Sequence, residues 1–142
     1  MKEKIQQLYT VIADDLNQYL QENSIYKPNV YQDEPEEKEF PIVIIKELPR
    51  INIYGNLSYG EETYDYGLET SVNTIQQDGV SKQSIANEIT NLIEKFFTEK
   101  YRMINKISKN VANLDTDVYR DIIQSTCIID TKYHDKLVIY PK

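Results

Sequence analysis

His134 is the chain's one histidine and Cys127 its one cysteine. A nucleophilic dyad would need the two within hydrogen-bond reach, together with donors for an oxyanion. None of the local motifs that supply those parts is present. His134 lies between Asp130, Tyr133 and Asp135 in a segment that reads as a turn, so a solvated histidine is expected. Cys127 falls inside an apolar run, where a thiol behaves as a small hydrophobe. The run DEPEEKE from Asp33 to Glu39 concentrates carboxylates. A calcium loop, however, gathers about six to eight oxygens around a sharp glycine turn, and this run has no glycine and is interrupted by Pro35. Asp115 and Asp117 read as turn or capping groups that bond nearby backbone. Four glycines in the chain form no phosphate-cradling GxxxxGK or GxGxxG loop. Asn56-Leu57-Ser58 fits the glycosylation pattern, but residues 1–22 carry charges where a secretory leader needs an apolar centre, so the match reads as chance. No catalytic, cofactor-binding or metal-binding residue is expected, and the chain reads as a non-enzyme.

Two other features stand out. Lys95, Lys100, Arg102, Lys106 and Lys109 follow one another with only Glu99 among them, a basic segment in an acidic protein and a candidate docking face. Arg120, closing the run NLDTDVYR, joins this set. The chain also holds twelve tyrosines against three phenylalanines and no tryptophan. Tyrosine joins apolar area to a polar tip and is enriched at protein interfaces. Tyr54, Tyr59, Tyr64 and Tyr66 fall near the tip of an expected hairpin, more aromatics than one small core can hide, and are expected to meet a partner.

The elements that position these residues follow from periodicity. Ile5, Leu8, Tyr9, Ile12, Leu16, Tyr19 and Leu20 recur every three or four residues, which predicts an amphipathic helix over 2–22. A short strand at 30–32 follows, then the charged 33–39 loop. FPIVIIKEL supplies a β-branched strand behind Pro41. Alternation of Ile51, Ile53, Leu57 and Tyr59 with polar residues, a turn at Gly60 to Glu62, and a second alternating run from Tyr64 to Thr74 predict a long hairpin. Ser81 or Ser84 can cap a helix over 81–102 whose face is Ile85, Ile89, Leu92, Ile93, Phe96 and Phe97. At 1.5 Å per residue it would be about 30 Å long, enough to back a small sheet. A polar loop holding Lys106 and Lys109 is expected next, then strands at 122–129 and 137–140. The fold class is α+β: a mixed, mainly antiparallel sheet with a long hairpin, backed by two helices.

At 142 residues the chain fits one domain, 1–142. Its apolar content of 40% against 27% charged is that of a folding chain. No apolar run approaches the ~20 residues that span a bilayer, so a soluble protein made in the cytoplasm is expected, and a lone cysteine excludes an internal disulfide. The net charge of −7 and a pI near 4.8 argue against nonspecific affinity for nucleic acid, which demands a cationic face. Residues 1–80 hold 6 basic and 15 acidic side chains and residues 81–142 hold 10 and 8. That asymmetry suits either a solvated surface or a head-to-tail contact between copies.

The order of a first helix, the FPIVIIKE strand, the long hairpin, the GVSKQSIANEITNLI helix and the NLDTDVYRDII segment resembles the tail terminator proteins of long-tailed bacteriophages over nearly the whole chain. The helix followed by a VYR strand is the most specific part. The resemblance implies a virion protein at the head–tail junction, a homo-hexameric ring that ends growth of the tail tube. Its partners would be the tail-tube protein and the head connector, and DNA would pass through without specific binding. Another head-to-tail connector protein, a joining or stopper protein, is the neighbouring alternative. An acidic adaptor that mimics DNA, or a small-molecule binding or enzymatic domain, are the alternatives outside this class.

Overall fold

In the computed structural model, residues 2–49, 51–56, 61–111, 117–130 and 138–141 are described, with side chains for 8–49, 66–111 and 117–128. The chain runs α1 (Lys2–Asn23), β1 (Asn29–Tyr31), β2 (Ile42–Glu47), β3 (Ile51–Asn56), β4 (Glu61–Thr74), α2 (Lys82–Tyr101), β5 (Ile104–Ser108), β6 (Tyr119–Asp130) and β7 (Val138–Pro141). The expected α+β class is what forms: a mixed sheet, antiparallel except for β1 on β2, backed by two helices.

Both helices form because their apolar stripes have a sheet to cover. Ile12, Leu16 and Leu20 of α1 sit four residues apart and are fully buried, as one face of a 3.6-residue repeat requires. The helix stops where Asn23 Nδ2 donates to Tyr19 O at 2.8 Å and the Ser24 N–H to Leu20 O at 2.9 Å. The N-cap of α2 is Ser81, whose Oγ accepts the Ser84 N–H at 3.1 Å. Its C-cap Arg102 takes the left-handed conformation at φ 53°, and the Met103 N–H returns to Phe97 O at 3.0 Å. This closes orphan carbonyls in the manner of a Schellman turn, without the usual glycine. Phe96 knits the helices together, with its ring 5.3 Å from Tyr19 and 5.5 Å from Tyr101.

Two long strands form the middle of the sheet. β4, of 14 residues, pairs with β6, of 12, from Thr63↔Asp130 to Thr74↔Tyr119. Shorter strands flank this pair end to end: β2 and β3 share the outer side of β4, and β5 and β7 share that of β6. The two-residue period turns Tyr66, Leu68, Thr70, Val72 and Thr74 of β4 toward the helices, with Val43 and Ile45 of β2 and Tyr119, Ile123 and Cys127 of β6. α2 packs on β4, β5 and β6, and α1 on β1 and α2. The opposite face has no helix among the described residues.

The observed boundaries correct the sequence reading in three places. The stretch expected as a polar loop after α2 contains β5, an edge strand whose exposed residues Ile104, Lys106 and Ser108 hide its strand character. Asn105 anchors it: its Nδ2 donates to Glu94 O and Thr98 Oγ1, and its Oδ1 accepts from Ser125 Oγ at 2.6 Å. Glu61 and Glu62, expected in the turn, are the first residues of β4. The hairpin is shorter than expected, because β3 pairs only with Glu61–Asp65 while the Leu68–Asn73 stretch of β4 pairs with β2.

Candidate assembly surface

The face of the sheet away from the helices collects the residues of opposite parity. Register aligns Ile42 with Asn73 and Arg120, Ile44 with Ser71 and Ile122, and Lys46 with Glu69 and Gln124 across β2, β4 and β6. Phe40, whose peptide bond to Pro41 is cis, and the preceding Glu34–Lys38 segment rise at one side of this face. Between them and the strands lies a groove of about 480 Å³. Its floor is apolar at Ile42, Ile44 and Ile122, and Ile42 is only 3% exposed. Its rim carries Lys38, Lys46 and Arg120 against Glu34 and Glu69. Lys38 bonds Glu34 at 3.0 Å within the rim. The acidic 33–39 segment is therefore one wall of a groove as well as an exposed loop.

The expected interface residues separate into distinct environments. Tyr66 is 0% exposed and donates from its hydroxyl to Glu47 Oε2 at 2.9 Å. This corrects its assignment to a partner-facing cluster: it shares the inward parity of Leu68 and Val72 and belongs to the core. Tyr54 and Tyr64 lie on β3 and β4 with side chains outside the described set, and Tyr59 lies outside the described residues altogether. His134 and Asp115 also lie outside them, whereas Asp117 is exposed in a turn before β6.

Two cations of the basic segment have partners within the chain. Lys100 reaches across to α1, bonding Asp15 Oδ2 at 3.1 Å and standing 5.8 Å from the centre of the Phe96 ring. Lys109 donates to Asn87 Oδ1 and to Asp121 Oδ2, each at 3.0 Å. Each answers a carboxylate that the fold holds nearby, while about half of each lysine side chain stays exposed. Arg102 and Lys106 are exposed, and Arg120 lines the groove.

Sequence reasoning missed the buried acid Asp121. It is 0% exposed on the helix side of β6. Oδ1 accepts the Asn110 N–H at 3.0 Å, and Oδ2 accepts Lys109 and the Thr90 hydroxyl at 3.2 Å. These bonds fix the chain where it leaves β5, as does the Val111 N–H donating to Arg120 O at 2.7 Å. The neighbouring Tyr119 hydroxyl is held above its usual pKa by burial first and by the Asp121 charge second. Strand parity was the available signal: position 121 falls in phase with Ile123 and Cys127.

A second carboxylate joins the helices. Asp15 accepts the Tyr101 hydroxyl at 2.7 Å as well as Lys100. The Tyr101 bond holds its carboxyl below the ordinary range; burial opposes this, and Lys100 adds to the lowering. Tyr101 is pushed up in turn, by burial and then by Asp15. Tyr9, which donates to Ile45 O at 2.7 Å, is also raised, by burial and then by Glu47 and Asp33. Tyr101 thus ties α2 to α1, and Tyr9 ties α1 to β2.

Cys127 is fully buried on the helix face of β6, as its apolar surroundings predict. Among the described residues no cluster of histidine, cysteine and carboxylate side chains could hold a metal, and no helix is long and apolar enough to cross a membrane. The groove on the open sheet face has a mixed apolar floor and charged rim that suit a protein segment. No family model and no curated protein matches this chain by sequence.

Proposed function

We propose that this chain is a non-catalytic structural subunit that closes into a homo-oligomeric ring at the head-proximal end of a phage tail, where it ends tail-tube growth and joins the tail to the head connector. The observation that carries this reading is the one-sided sheet. Helices cover one face, while the other presents Ile42, Ile44 and Ile122 at the floor of an open groove. An apolar-floored surface rimmed by charge is the form a protein contact takes. The order of elements agrees with the tail-terminator resemblance, and a net charge of −7 per copy would give a ring walls that let DNA slide without sticking.

Native mass spectrometry of the purified chain tests the reading, with and without a tail-tube protein. A closed oligomer, six copies by the resemblance, that caps tube ends is the expected result. A chain that stays monomeric at about 100 µM would overturn it. The groove's volume also falls within the roughly 300–1,000 Å³ of small-molecule sites, so a monomer whose groove binds a small ligand would favour a binding module instead.

A further inference from the structure

Resting on the assembly reading, we infer that the acidic segment 33–39 of one copy docks on the β5 border of the next copy's open sheet face, around Ile104 and Lys106. These two patches are what the chain's own ion pairs leave over from its two charge runs. Segment 33–39 holds five carboxylates and one lysine, all on exposed residues. Lys38 is taken by Glu34, and no ion pair among the described residues involves Asp33, Glu36, Glu37 or Glu39. In the basic run, Asp15 and Asp121 take Lys100 and Lys109. Arg102 and Lys106 are exposed and have no ion-pair partner among the described residues.

Register places the cationic patch on the open face. Ile104 stands beside Thr126, Lys106 beside Gln124 and Ser108 beside Ile122, whereas Asn105, of the other parity, bonds α2. β5 carries no carboxylate, and neither do Ile122, Gln124 and Thr126 next to it. In the row that Lys106 ends, the one acid is Glu69, two strands away and next to Lys46. Ile104, 51% exposed, gives the patch an apolar centre of the kind that protein contacts cover. The acidic segment belongs to the other border, since it joins β1 to β2 and the sheet runs β1-β2-β4-β6-β5. It is tied there at both ends, by Tyr31 in register with Ile44 and by Phe40 O, which accepts from Gln77 Nε2 at 2.6 Å. From β2 to β5 is three strand spacings, about 14 Å at ~4.8 Å each. Opposite charges at opposite borders of one sheet meet when copies stand side by side. Because the two patches differ, the contact is heterologous: each copy gives one segment and receives one, which generates a ring when the rotation closes.

Charge exchange in the full chain tests the contact. Glu36→Lys with Glu37→Lys makes the segment basic, and Lys106→Glu with Gln124→Glu makes the β5 border acidic; all four positions are exposed. Each double variant alone is expected to keep the wild-type circular dichroism and to dissociate at least about tenfold more readily. Mixed in equal amounts, they restore an oligomer containing both in a one-to-one ratio, because each altered segment meets an altered border and each native segment a native one. Carbodiimide crosslinking of the wild-type oligomer, assembled from equal parts of light and heavy-isotope chain, should join Glu36 or Glu37 to Lys106 of a different copy, a readout that no variant's folding affects. Assembly indifferent to both double variants, a mixture that fails to reassemble, or crosslinks from these acids that stay within one copy or map elsewhere would overturn this contact and leave the ring reading standing. A monomeric wild-type chain would overturn both.

Discussion

Removing the Asp121 carboxylate should unlock the β5–β6 connection at a cost that the geometry lets one work out. Its oxygens accept three hydrogen bonds in a site with no solvent exposure, from the Asn110 N–H, the Thr90 hydroxyl and Lys109. Asp121→Asn retains an oxygen for Asn110, and the Thr90 hydroxyl can rotate to accept from the new amide. Lys109, with 45% of its side chain exposed, can turn into water. The expected loss is about 1.5–3 kcal/mol, that of hydrogen bonds to a charge exchanged for neutral ones. Asp121→Ala leaves the Thr90 hydroxyl and Asn110 N–H dry and adds a void, raising the loss to about 3–5 kcal/mol. At roughly 3 °C per kcal/mol for a chain of this size, the alanine variant should melt about 9–15 °C lower. Urea unfolding gives the free energies, and hydrogen exchange at Asn110 and Val111 should accelerate in both variants. A loss below 1 kcal/mol for Asp121→Ala, with unchanged exchange at those two amides, would refute the idea that this acid anchors the connection. A double-mutant cycle with Lys109→Met would then isolate the ion pair's own share.

Other consequences can be checked on the same footing. Tyr66→Phe should cost about 1 kcal/mol for the lost bond to Glu47, whereas Tyr66→Ser should cost roughly 3–5 kcal/mol by emptying the core; both losses should appear in urea melts of the monomer, whatever the assembly does. Arg102→Gly should raise the unfolding free energy from urea melts by up to about 1 kcal/mol, because glycine occupies the left-handed position at φ 53° without strain. The carboxyl of Asp15 is depressed in the folded state, so its contribution is present above the unfolded carboxylate range and is lost as pH falls through the folded value. Asp15→Asn should therefore be roughly 1 kcal/mol less stable than the parent near pH 6, and the gap should close below about pH 4; a gap that stays constant down to pH 3 would contradict the assignment.

Both helices and most strands were legible because their apolar periods are long and capped: Ile12, Leu16 and Leu20 mark one helix, and Ser81 with Ile85, Ile89 and Ile93 marks the other. β5 was illegible for a physical reason. An edge strand of five residues over a solvated face needs few apolar positions, and lysines at 106 and 109 resemble a loop. Tyr66 was misplaced although its parity with Leu68 and Val72 was visible, because composition was weighed above register. The groove could not be read, since it depends on how the 33–40 segment rises beside strands brought together from three parts of the chain. Lys100 and Lys109 looked like spare cations because their partners, Asp15 and Asp121, are distant in sequence or hidden by a fold that periodicity alone does not specify.

Two of the sheet's outer strands, β1 and β5, bear on aggregation. β1 offers only three residues and runs parallel to its neighbour, and β5 presents a lysine at its middle position. Short borders and protruding ammonium groups discourage the backbone templating that leads to amyloid. Copies of this chain that meet at such borders are thereby steered away from irreversible backbone pairing.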